Sequence, residues 1–135
     1  MAKAKNAYRV FISHSAKDKW IAVQLDRMIQ ERKVTTFRDD RDIEGGAAIA
    51  EAIRVQMSEC DEMLVLWTPQ AINSVWVMQE VGMAFGMELH IVPIRYLTEV
   101  VTLPPVIRTV HAPELTERDV NKYLDDLARR ARSRR

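Results

Sequence analysis

"EMLVLWTPQAINSVWVMQEVGMAFG", residues 62–86, decides the fold. Its first six residues form an almost unbroken apolar run, the composition of a strand covered on both faces, and Thr68-Pro69 stops it. Asn73 or Ser74 then caps a helix running to about Met87. A two-sided buried strand feeding directly into a helix is the repeating unit of a parallel α/β sheet.

The flanks repeat the unit. Upstream, "YRVFIS" (8–13) reads as a strand, and "DKWIAVQLDRMIQERK" (18–33) places Ile21, Leu25, Met28 and Ile29 at helical spacing. "VTTF" (34–37) is again β-branched and aromatic, and a polar stretch, "RDDRDIEGG" (38–46), leads to a helix at "AAIAEAIRVQM" (47–57). Downstream, "HIVPIR" (90–95) makes a fourth strand in which Pro93 argues for an edge position or a bulge. "TVHAPEL" (109–115) is a candidate fifth strand. "ERDVNKYLDDLARRAR" (117–132) is an amphipathic helix with Val120, Tyr123, Leu124 and Leu127 on one face. The alternation predicts an α/β fold with a five-stranded parallel sheet in the flavodoxin-like order 2-1-3-4-5 and helices on both faces. In such a sheet ligands sit beyond the carboxyl ends of the strands, in the crevice between strands one and three. "SHSAKD" (13–18) and "TPQAINS" (68–74) would line it.

At 135 residues, 47% apolar and 29% charged, the chain has an ordinary globular composition and suits one domain. Residues 8–128 are expected to form it, with a flexible N-terminus at 1–7 and an arginine-rich tail at 129–135. No apolar run approaches the roughly 18 residues of a membrane span, and no signal peptide follows the N-terminal lysines, so a cytoplasmic protein is expected. The single cysteine, Cys60, rules out an intramolecular disulfide and fits a reducing compartment. Zinc-type spacing is absent around His14, His90 and His111, so no metal site is expected. The net charge of +1 conceals five arginines in the last eight residues, "ARRARSRR". Such a stretch can meet nucleic acid or, more simply, end a solvated helix; nucleic acid is not expected as a partner.

On the helix after strand three, Val77, Val81, Ala84 and Phe85 share one arc that should face the sheet. Glu80 falls beside that arc, with Trp76 one turn earlier and Met83 and Met87 later. Periodicity alone leaves two readings open: an exposed helix charge, or a partly desolvated carboxylate at the crevice with a lengthened electrostatic reach. Ser13, His14 and Ser15 could hold phosphate or ribose oxygens, or cap the next helix. Asp39, Asp40, Asp42 and Glu44 lack EF-hand spacing and read as a solvated loop, and Gly45-Gly46 belongs to no phosphate-loop motif. A phosphoryl-accepting receiver domain needs an aspartate where Trp67-Thr68-Pro69 stands, and that reading fails.

Taken in order, "YRVFISHSAKD", "FRDDRDIEGG" ahead of "IAEAI", "SECDEMLVLWTP", "SVWVMQEVGMAF" and "IVPI" resemble a bacterial Toll/interleukin-1 receptor (TIR) domain over nearly the whole chain. The resemblance implies that Glu80 is catalytic in cleaving the nicotinamide–ribose bond of NAD+, giving nicotinamide and ADP-ribose or a cyclic ADP-ribose. NAD+ would be a substrate, with no cofactor. Trp76 would pack beside the sugar or a base, and Ser13, His14, Ser15, Arg38, Asp40, Thr68 and Ser74 would border the nucleotide. Asp42, Ile43, Glu44, Gly45 and Gly46 would form the loop that packs on a neighbouring subunit, although Glu44-Gly45 stands where many relatives have Pro-Gly. Activity would then depend on TIR–TIR assembly, with a separate sensor or effector as a further partner, in bacterial antiphage immunity. The alternative is a non-catalytic scaffold acting through the same contacts.

Overall fold

The computed structural model describes residues 8–39 and 47–134. Four strands, β1 (Arg9–Ser13), β2 (Thr35–Arg38), β3 (Glu62–Trp67) and β4 (His90–Arg95), form one parallel sheet in the order β2-β1-β3-β4. The α-helices are α1 (Lys19–Glu31), α2 (Ala47–Ser58), a single turn α3 (Pro69–Ile72), α4 (Val75–Gly86) and α5 (Glu117–Ser133). No helix among the described residues is long and apolar enough to cross a membrane.

All six residues of β3 are buried, as its composition requires. Because successive side chains alternate across a strand, Leu64 and Leu66 enter one core with Val10 and Ile12 of β1 and the apolar stripes of α1 and α5. Met63, Val65 and Trp67 enter the other with Phe11, α2 and α4. The indole of Trp67 donates to Thr102 Oγ1 at 2.9 Å, so its polar edge is satisfied.

On α4 the buried residues are Val77, Glu80, Val81 and Ala84, while Phe85 is 51% exposed. The expected arc is therefore rotated. At 100° per residue Phe85 stands roughly 80° from Val77, on the far side from Glu80, and the helix turns that edge to solvent. Glu80 lies inside the buried stripe rather than beside it.

The fifth strand does not form. Residues 109–115 make one isolated bridge, Arg95 to Glu114, in which Arg95 N donates to Pro113 O and Leu115 N donates to Arg95 O, both at 2.8 Å. In parallel register the preceding rung needs N–H groups from residues 93 and 113. Both are proline, so both bonds of that rung are deleted and the ladder stops after one. Pro93 thus occupies an edge strand without a bulge, its missing N–H on the outer side, while β4 pairs with β3 in continuous register.

Within the arginine-rich stretch, α5 continues through Ser133. Arg130 makes a bidentate pair with Glu62, Nε to Oε1 at 2.9 Å and Nη2 to Oε2 at 3.0 Å. Tyr8 and Tyr123 hydroxyls donate to the same fully buried carboxylate at 2.7 and 3.0 Å. Arg134 pairs with Asp61 and lies 5.6 Å from the ring centroid of Tyr8. A glutamate at the first position of a central strand is tolerable only with such a set of donors.

Removing Arg130 leaves a buried charge without its cation. Arg130→Ala should therefore cost about 3–5 kcal/mol in urea unfolding, a much larger loss than Arg129→Ala on the exposed face of the same helix. Burial first, and then the Glu62 charge, hold the Tyr8 and Tyr123 hydroxyls above the ordinary phenol value. With folded values above an unfolded value of about 10, their contribution is fully present below that pH and is lost as pH rises through the folded values. Denaturation followed across alkaline pH should show stability falling above about pH 10, with a shallower slope in Tyr8→Phe and Tyr123→Phe.

Candidate active site

β1 delivers three polar residues in a row to the carboxyl end of the sheet. Ser13, on the same side of the strand as Phe11, faces α4, and its Oγ donates to Glu80 Oε1 at 2.6 Å. Ser13 is 1% and Glu80 4% exposed, so the contact is almost completely withdrawn from water. His14 is buried too, with Nδ1 2.7 Å from the Ser15 carbonyl; a carbonyl only accepts, so Nδ1 carries the proton. Ser15 Oγ accepts from Lys17 N at 3.3 Å and opens a 3-10 turn at Ala16–Asp18.

The loop after β3 is tied to this one. Thr68 caps α3 by accepting from Ala71 N at 3.1 Å, and its own hydroxyl donates to the buried Asp18 at 2.5 Å. The two segments expected to line the crevice are thus joined by a buried hydrogen bond. Ser74 caps α4, accepting from Val77 N at 3.2 Å. Trp76, one turn before Glu80, is half-buried against the second core.

Arg38 is placed differently. Its register partner is Ile12, whose side chain enters the α1/α5 core, and Arg38 Nη1 meets Asp26 of α1 at 2.5 Å on that face of the sheet. The structure therefore joins Ser13 to Glu80 and Asp18 to Thr68, and directs Nη1 of Arg38 to the opposite layer. Asp40 and the loop residues Asp42, Ile43, Glu44, Gly45 and Gly46 lie outside the described residues. His90 and His111 line a cleft of about 430 Å3 with Asp126 and Arg130, near the amino ends of the strands and away from Glu80. Burial, and then the charge of Arg130, lower the pKa of His90. No group of three or more His, Cys, Asp or Glu among the described residues could hold a metal ion.

A carboxylate withdrawn from water at the end of a central strand can act electrostatically on a cation formed beside it far more strongly than one in solvent. This arrangement lies on a chain whose residues 10–129 match the model of the TIR domain family. The chain belongs to the TIR domain family. No curated protein matches its sequence significantly.

Solved TIR domains share its fold. The TIR domain of the Toll-related receptor TRR-2 from Hydra magnipapillata superposes with a TM-score of 0.71 at 22% identity, covering 93% of this chain and 99% of that one. The TIR domains of the activated Roq1 resistosome, which directly recognizes the pathogen effector XopQ, give 0.67 at 17% identity, with 92% and 99% covered. A metazoan TIR-STING receptor from C. gigas, in complex with 2′,3′-cGAMP, gives 0.70 at 22% identity; 97% of this chain is covered but only 41% of the receptor. Identities this low carry the fold alone.

Two acids of this TIR domain that sequence reasoning passed over are part of its framework. Asp18 accepts from Thr68, and the buried Asp26 accepts from Thr36 at 2.6 Å and Gln30 at 2.7 Å besides pairing with Arg38. Asp26 stands four residues after Ala22 and three before Ile29, within the buried stripe of α1. An acid inside an apolar stripe was the available signal, and it is the signal that marks Glu80.

Thr68→Val would remove the α3 cap and leave the buried Asp18 oxygen without its donor. A loss of about 1–3 kcal/mol in urea unfolding is expected, against about 1 kcal/mol for the simple cap deletion Ser74→Ala.

Proposed function

We propose that this TIR domain hydrolyses NAD+ at the nicotinamide–ribose bond, with Glu80 as the catalytic carboxylate. The observation that carries the reading is a nearly fully buried Glu80 on the first turns of α4, oriented by Ser13 at the carboxyl end of β1. In the reaction the C1′–N1 bond breaks and its electron pair leaves with nicotinamide, which departs neutral and needs no general acid. The cost lies in the positive charge that grows on the ribose, and a carboxylate in a dry site stabilises that charge. Water then attacks C1′ and releases a proton, giving ADP-ribose; attack by a nitrogen of the adenine instead gives a cyclic product. Trp76, one turn from Glu80, supplies an aromatic face for the sugar or a base. The absence of a required cofactor and a role in bacterial antiphage defence belong to the same proposal.

A scaffold reading is favoured by a separate observation. Trp20 is 71% exposed and, with Met28, Tyr96 and Leu115, lines an apolar groove of about 410 Å3 between α1 and the start of α5. An exposed tryptophan on such a groove suits contact with another protein. We read it as an assembly surface, by analogy with the TIR domains of the Roq1 resistosome. Assembly and catalysis are compatible, and one assay separates them. Concentrated protein incubated with NAD+ and followed by chromatography should release nicotinamide, and Glu80→Gln should reduce release by about 10²- to 10³-fold. Undiminished release by that variant would remove Glu80 from the chemistry, and no release from concentrated, assembled wild type would leave the scaffold.

A further inference from the structure

We infer that Ser13 is a positioning residue for Glu80, not a ligand of the substrate; its catalytic consequence rests on the NAD+ reading above. A serine hydroxyl has one proton, and that of Ser13 is given to Glu80 Oε1 at 2.6 Å, the short distance of a bond to a charged oxygen. The backbone of Ser13 is fixed in register with Val65 of β3, and its side chain turns on a single torsion. Glutamate turns on three and loses more rotamer freedom when ordered. The stiff residue therefore constrains the flexible one.

The helix completes the constraint. α4 is held by the Ser74 cap and by Val77, Val81 and Ala84 against the sheet, so the Cα of Glu80 is fixed as well as one of its carboxylate oxygens. With both ends of the side chain held and the carboxylate planar, the direction of Oε2 is set before any ligand arrives, which is the preorganisation that electrostatic catalysis depends on. A serine donating to a nucleotide oxygen would have to surrender this bond whenever substrate bound.

The two roles give opposite kinetics. If Ser13 positions Glu80, Ser13→Ala should lower kcat for NAD+ by about tenfold, the rate equivalent of one hydrogen bond to a charged group, with KM nearly unchanged, and Ser13→Thr should restore most of it. Rates are compared per folded molecule, measured by near-UV circular dichroism. A raised KM with kcat retained would overturn the proposal in favour of substrate contact. A second measurement needs no turnover: in protein labelled with 13C at glutamate carboxyls, the Glu80 signal, identified by its loss in Glu80→Gln, should move in Ser13→Ala and return in Ser13→Thr. A signal indifferent to Ser13 overturns the proposal. A wild type that releases no nicotinamide while this signal responds overturns the NAD+ reading and leaves the positioning contact standing.

Discussion

A strand with a neighbour on each side and helices on each face has nowhere to keep a polar side chain except at its two ends. β3 is such a strand, and the placement of polar chemistry in the molecule follows from it. Its middle, Met63 to Leu66, divides by alternation into two cores, and each core dictates which helices must cover it. Its first residue is the buried Glu62, and the residue after its last is the buried Thr68. Each end needs hydrogen-bond partners, because a polar group buried without them costs more than any one contact returns. At the amino end these are Tyr8, Tyr123 and Arg130; at the carboxyl end, Asp18 and the start of α3. The terminal helix is therefore a component of the central strand's solvation and not an appendage.

The carboxyl end of the sheet is organised by the same requirement. With the order β2-β1-β3-β4, the chain winds outward in opposite directions from β1 and β3, and the loops leaving these two strands part company. In sheets of this kind ligands bind where the winding reverses, and two hydrogen bonds hold that region together here. The Thr68–Asp18 bond ties one loop to the other, and the Ser13–Glu80 bond ties helix to strand. Both link segments at least 50 residues apart in sequence, so both arise only when the sheet is complete.

What could be read in the sequence was what depends on neighbours along the chain. "EMLVLW" has the composition of a two-sided strand, and β3 spans those residues; Ser74 precedes a helical stripe, and it caps α4. The fifth strand misled because "TVHAPEL" looks adequate by itself. What prevents it is Pro93 coinciding with Pro113 on one rung, a fact of register between segments that no local pattern contains. The arginines of α5 read as solvated because Arg130 finds its partner 68 positions away. Phe85 misled for the converse reason: hydrophobicity suggested burial, but the buried stripe of α4 runs through Val77, Glu80, Val81 and Ala84 and leaves Phe85 exposed.

The two buried glutamates among the described residues differ in their surroundings. Glu62 receives four hydrogen bonds from three side chains, two of them from a guanidinium that also neutralises its charge. A carboxylate so occupied is an internal joint, and the arrangement makes structural sense without any ligand. Glu80 turns a side of α4 toward the sheet that an apolar residue would fill at lower cost. Glu80 accepts from the neutral hydroxyl of Ser13, a contact that orients the carboxylate. Glu80 also lies where the loops diverge, whereas Glu62 lies at the opposite end of the strands behind α5. Under the proposed NAD+ reaction, the positive charge developing on the ribose would meet an acid at this position.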